Sequence, residues 1–155
     1  MSPTLTPTAQ VELHIEVTDF YARQMPLLEQ GELEAFADTF TEDCVFGYDG
    51  AWQVVGRDAL LGGVRANIPR YGTSKIRHWF ESRRIAVRED GVIESSATSL
   101  VSVTSEKGDV TFEPSCVVRD QLVRTEDGLR VSSRVIRHDL PDAGVYFARL
   151  AASHG

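Results

Sequence analysis

Apolar residues in the first thirty positions return every three or four places, as Leu13, Val17, Phe20, Tyr21, Leu27 and Leu28, with Glu12, Glu16 and Arg23 between them. This spacing lines up one apolar stripe and predicts an amphipathic helix over residues 8–30. Pro26 removes a backbone donor and crowds the preceding turn, so a kink or break is expected there. Gly31 then separates a short second helix carrying Leu33, Phe36, Ala37 and Phe40. The period next changes to that of a strand. Cys44-Val45-Phe46-Gly47-Tyr48 ends in Asp49-Gly50, a strong turn signal, and Trp52-Gln53-Val54-Val55 follows as its hairpin partner. Gly56-Arg57-Asp58-Ala59-Leu60-Leu61 opens a third helix that ends at Pro69-Arg70-Tyr71-Gly72.

Four long extended segments remain, residues 74–88, 92–104, 110–125 and 129–140, separated by short charged turns that each contain Gly. They predict a consecutive antiparallel meander. Strands this long twist and coil, and the alternation slips around Ser82-Arg83-Arg84, where a bulge is expected. Helices followed by a run of strands are the signature of an α+β fold. The expected architecture is a cone in which N-terminal helices pack on a strongly curved antiparallel sheet of about six strands. One domain over residues 8–140 is expected, flanked by a flexible N-terminus, 1–7, and a tail, 141–155, with the cone enclosing a pocket for a small hydrophobic molecule.

Composition narrows the possibilities. The chain has 155 residues, 42% hydrophobic and 25% charged, which suits one globular core. A net charge of -7 argues against a nucleic-acid partner, whose binding needs clustered Lys and Arg. No apolar run is long enough to span a bilayer and the first residues lack the features of a signal peptide, so a cytoplasmic protein is expected. Cys44 and Cys116 fit no metal or redox spacing. No local His or carboxylate set points to a metal, no G-x-G-x-x-G follows a strand, and no cofactor is expected.

The two leading helices, the Phe40-Thr41-Glu42-Asp43-Cys44-Val45-Phe46 passage into the first strand, the Gly56-Arg57-Asp58-Ala59-Leu60 helix start and the meander together resemble the NTF2-like superfamily. Within it the chain most resembles the SnoaL-like group, which includes polyketide cyclases, and its relatives scytalone dehydratase, ketosteroid isomerase and the β subunits of ring-hydroxylating dioxygenases. The scytalone dehydratase pattern puts a pocket tyrosine at Tyr48, its first long-strand histidine at His78 and a pocket asparagine at Arg119. Ser96 stands near the place of its second histidine, and no helix-borne Asp is found around Met25-Pro26-Leu27. The resemblance also implies a homodimer through the outer face of the sheet.

The residues themselves point to His78 as the strongest chemical candidate. In Ile76-Arg77-His78-Trp79-Phe80, alternation puts Ile76, His78 and Phe80 on one face, so the imidazole shares an apolar space. Such a group carries protons near neutral pH. Tyr48, beside the turn, can donate to a carbonyl oxygen as charge develops on it, and Asp49 is a turn residue that can serve as acid or base. Tyr21 and Trp52 are expected to flank the mouth as flat contacts. Either Arg119 or Asp120 faces inward, Arg119 to bind a carboxylate or enolate, Asp120 to orient His78. Of His138 and Asp139 only one points in, and His138 shares alternation with Ile136. His14 and His154 are expected to be exposed.

The function expected from this set is a tailoring enzyme that cyclises, dehydrates or isomerises a polyketide-like molecule by His-centred acid/base catalysis. Two alternatives stand beside it, a non-catalytic subunit like a dioxygenase β subunit and a small-molecule carrier.

Overall fold

The computed structural model describes residues 4–140 and Asp142. Helix α1 spans Pro7–Glu29. Thr6 caps it, its Oγ1 accepting from the Ala9 amide at 3.2 Å, and Pro7 occupies the first turn, where a missing N–H matters least. Its buried stripe is Leu13, Val17, Phe20, Tyr21, Gln24 and Met25. The helix does not break at Pro26. Met25 and Leu28, on either side of the proline, both pack on the core, and the last turn still closes from the Gln30 amide to the Pro26 carbonyl at 2.9 Å. Packing outweighs the lost hydrogen bond. Helix α2 is the single turn and a half Leu33–Ala37, burying Phe36 and Ala37.

The strands are β1 Phe40–Tyr48, β2 Trp52–Val55, β3 Lys75–Val87, β4 Ile93–Thr104, β5 Val110–Phe112, β6 Cys116–Thr125 and β7 Gly128–His138. Between β2 and β3 lie helix α3, Arg57–Asn67, and a 3-10 turn, Ile68–Tyr71. The β1–β2 hairpin pairs Tyr48 with Trp52, and Gly50 takes a φ of 74° in the turn, a conformation that favours glycine. The sheet order is β2-β1-β7-β6-β4-β3, with β5 on β4.

Three expectations about the sheet are corrected. It has seven strands, and it is mixed, because β1 runs parallel to β7 while every other pair is antiparallel. The extended segment 110–125 is also two strands. Pro114, in the Glu113-Pro114-Ser115 link, has no amide to give the ladder, so β5 pairs with β4 at residues 102–104 and β6 pairs with it from Ser99 backwards. The expected bulge is present. Register slips between Glu81 and Arg84, with Ser82 at a φ of 51°, so that Arg83, Ile85 and Val87 take the inward positions beyond it.

The core lies between the helices and the concave side of the sheet, where Phe36, Phe40, Leu60, Ile93, Leu122 and Val131 are almost wholly buried. No helix among the described residues is long and apolar enough to cross a membrane.

Candidate active site

A cavity of about 130 Å³ opens between the three helices and the sheet. Its wall is mainly apolar and aromatic, from Met25 and Phe36 through Phe46, Trp52, Ile76 and Phe80 to Ile136. That lining suits a small organic ligand held by a few polar groups.

The first polar centre is on β3. This is the edge strand, so the His78 amide has no ladder partner on its open side. The last residue of α1 supplies one. Glu29 Oε1 accepts from the His78 amide at 2.6 Å and lies 3.3 Å from Nδ1 of the same residue, while Oε2 accepts from Arg77 Nη1 at 2.9 Å. Arg77 and His78 point to opposite faces of β3, and a carboxylate straddling the edge reaches both. The Glu29 side chain is 6% exposed. Burial raises its pKa, but the bonds from the His78 ring and amide and from Arg77 outweigh that and hold the carboxyl below its ordinary value of 4.5. With Nδ1 donating to Glu29, Nε2 carries the lone pair, the tautomer a general base requires.

An ionised Glu29 therefore favours the folded protein. The sign follows from the lowered pKa: its contribution is full above about pH 4.5 and is lost as pH falls through the lower folded value. The thermal midpoint of wild type should exceed that of Glu29→Gln at pH 6 to 7, with the gap closing in acid. A gap constant from pH 7 to pH 3 would contradict the placement of this carboxylate.

The second polar centre faces it from β1 and β7. The rings of Tyr48 and His138 stack, 5.4 Å apart and 5° from parallel. Burial pushes the Tyr48 phenol up to about 12, so it keeps its proton at neutral pH. Burial likewise pushes the His138 imidazole below its ordinary value, against a hydrogen bond to the Pro114 backbone and the Glu113 carboxylate. This wall offers neutral hydrogen-bonding groups. Trp52 packs on Tyr48 at 5.2 Å and extends the flat surface. At the rim, Arg70 donates to the Tyr71 hydroxyl and lies 3.7 Å from Glu113.

At the base of the cavity is a buried polar network. Arg134 donates to both carboxylate oxygens of Asp120, at 2.8 and 2.6 Å, and to Gln24 Oε1 at 2.8 Å. The Tyr21 hydroxyl donates to Asp120 Oδ2 at 2.6 Å, and Gln24 Nε2 donates to Thr39. Burial lowers the Arg134 pKa but Asp120 and Tyr21 together raise it more, so the guanidinium stays charged.

Of the residues singled out from sequence, His78, Tyr48, Trp52, Ile76, Phe80 and His138 all line the cavity. Four expectations are corrected. Arg119 is exposed on the outer face, and Asp120 is the inward residue of that pair. Asp120 does not orient His78, being bound to Arg134 and Tyr21. Tyr21 is 5% exposed in the core, packed against Phe80 and the Arg83 guanidinium, rather than at the mouth. Asp49 is an exposed turn residue whose amide bonds Ile136. Asp139 is exposed and accepts from Ser115, His14 is exposed, and His154 lies outside the described residues. Sequence reasoning missed Glu29, Arg134, Arg70, Tyr71 and Glu113.

Comparisons with known proteins agree with this architecture. A family model described as a SnoaL-like domain matches residues 9–135. The chain is 38% identical to Aln2 from a Streptomyces species, with a TM-score of 0.82 over 94% of this chain and 99% of that one. It is 39% identical to a Catenulispora acidiphila protein solved in complex with S-DNPA, with a TM-score of 0.75, covering 83% of this chain and 95% of that one. It is also 24% identical over 147 residues to the anthranilate 1,2-dioxygenase small subunit of Burkholderia cepacia, covering 85% of this chain and 90% of that protein. An aromatic-walled cavity between N-terminal helices and a curved sheet, together with a match over most of its length, makes this chain a member of the SnoaL-like family of the NTF2-like fold.

Proposed function

We propose that this protein is a tailoring enzyme that moves a proton next to a carbonyl of a flat, polyketide-like molecule during cyclisation, dehydration or isomerisation. The observation that carries the reading is the Glu29–His78 pair on the wall of an apolar cavity. His78 Nε2 takes the carbon-bound proton, and Glu29 holds the imidazole and stabilises the cation that forms. The carbonyl oxygen, as it becomes an enolate, accepts from the Tyr48 hydroxyl on the facing wall. The proton on His78 is then returned to another carbon or to a leaving hydroxyl, which closes the cycle. Trp52, Phe46 and Phe80 hold the rings flat between the two centres. Arg77 is a positioning residue that fixes the second oxygen of Glu29. Binding of S-DNPA by a relative supports a small organic ligand here. The enzyme works in the cytoplasm as a homodimer joined through its outer sheet face.

Proton transfer can be tested without the natural substrate. Incubated with α-tetralone, a bicyclic aryl ketone, in D2O, the protein should accelerate loss of the proton next to the carbonyl, followed by NMR. Exchange no faster than in buffer, for this ketone and its hydroxylated analogues, would overturn the assignment.

A second reading has its own support in the likeness to a dioxygenase small subunit and in the outward exposure of Trp79 and Phe112, at 55% and 62%. In that reading the sheet face docks a larger subunit. Ketone exchange by the isolated protein would count against it.

A further inference from the structure

The cavity must be reached from solvent, and one segment of its wall differs from the rest. We propose that residues 57–71, helix α3 and the 3-10 turn after it, form a lid that opens by unwinding between Gly56 and Gly72 and is clasped shut where Arg70 meets Glu113. The proposal rests on the reading of the cavity as a binding site and is independent of the chemistry at His78.

Four separate features point to this segment. It forms one side of the cavity through Val64, Ile68, Arg70 and Tyr71 among others, yet of α3 only Leu60 is buried. An element with so few buried anchors opens locally more readily than the strands behind it. Both its ends are glycines in conformations that other residues rarely adopt, Gly56 at φ 96° and Gly72 at φ 54°. Residues at such ends can absorb the backbone rotation of a hinge.

The helix itself is weakened at its centre. Gly62 has no positive φ, and a methyl group placed on it would meet nothing within 4 Å, so neither conformation nor packing calls for glycine there. Glycine in a helix interior nevertheless disfavours the helix by about 1 kcal/mol relative to alanine. The contacts that hold the far end closed are polar. Within the lid Arg70 lies 4.5 Å over the Tyr71 ring and bonds its hydroxyl, and the contact that leaves the lid is that of Arg70 Nη2, 3.7 Å from Glu113 of the β5–β6 link. At 3.7 Å this ion contact is longer than a hydrogen bond, and both side chains keep some access to water, at 15% and 17% exposed. In the last turn of α3, Arg65 bonds Glu34 of α2, and both side chains are more than half exposed.

Amide hydrogen exchange on the whole protein tests the lid directly. The α3 amides should exchange through a local opening, far faster than those of β4 and β6. Gly62→Ala should raise their protection about fivefold, the factor equivalent to the helix propensity gained, and leave β6 unchanged. Stopped-flow binding of prodan, a neutral fluorescent naphthyl ketone, supplies the second measurement. Gly62→Ala should slow association and dissociation together by about the same factor, with the dissociation constant within about twofold, while Glu113→Gln should speed both. The lid is overturned if α3 amides exchange only together with those of β6, if prodan rates are the same in wild type and both variants, or if prodan fails to enter the cavity at all. Failure of α-tetralone exchange with normal prodan kinetics would instead sink the proton-transfer reading and leave the lid standing.

Discussion

Asp120→Ala should be among the most destabilising single substitutions in this chain, lowering unfolding free energy by about 3 to 5 kcal/mol. The Arg134 and Asp120 side chains are 4% and 0% exposed, and Asp120 takes two of the three hydrogen bonds that Arg134 donates. Its removal leaves a buried guanidinium with only the Gln24 oxygen and strips the Tyr21 hydroxyl of its acceptor. A small domain is stable by only about 5 to 15 kcal/mol, so the variant approaches the threshold of folding. The urea midpoint at unchanged slope measures the effect. The loss comes from an uncompensated charge rather than from the net worth of the pair. The double variant Asp120→Leu with Arg134→Met, which removes both charges, should therefore recover much of the stability that Asp120→Ala loses. If Asp120→Ala unfolds within about 1 kcal/mol of wild type, the network is not the buried, closed unit described above.

That network also marks where local reading of the chain stops. The inward position of Asp120 follows from the even positions Cys116, Val118 and Leu122, but Val117 and Val123 at odd positions blur the alternation and leave Arg119 a rival. Its partners settle the matter, and they lie 14 residues away in Arg134 and 99 away in Tyr21. Arg134 does leave a trace in the sequence. It stands at two-residue spacing from Ile136 and His138 on β7, so the alternation that aims His138 inward aims Arg134 there too. Tyr21 reads as a rim aromatic because its hydroxyl suggests water, whereas the structure gives that hydroxyl a buried carboxylate.

Glu29 is invisible for a different reason. Leu27-Leu28-Glu29-Gln30 reads as an ordinary polar helix end, and nothing near it in sequence hints at a histidine 49 residues on. Only the docking of the α1 C-terminus on the edge of β3 brings them together. The edge position, in turn, depends on strand order, which alternation does not encode. The same gap conceals the parallel β1–β7 pair, which joins the first strand of the chain to the last. By contrast, the hairpin at Asp49-Gly50, the bulge after Glu81 and the cavity face of β3 are properties of short consecutive stretches, and these are legible.

His78→Gln should reduce ketone exchange by about 10² to 10⁴-fold, the usual worth of a positioned general base. Glutamine is close to histidine in reach and its amide can still donate to Glu29 Oε1, so the edge of β3 stays anchored through the His78 position's own amide. Thermal stability should therefore move little. What glutamine cannot do is accept and return a proton at neutral pH. Glu29→Gln separates holding from proton transfer. It keeps the size of the side chain but removes the charge that stabilises the imidazolium, so exchange should fall while prodan binding, which needs only the apolar cavity, is retained. Tyr48→Phe should lower exchange by about 10²-fold through loss of one donor to the enolate, with its ring still stacked on His138. The facing-wall arrangement requires that the His78 and Tyr48 effects both appear in turnover rather than in binding. Full exchange activity in His78→Gln would mean that the proton leaves by another route, and with the Glu29–His78 pair idle the cavity would read as a carrier site.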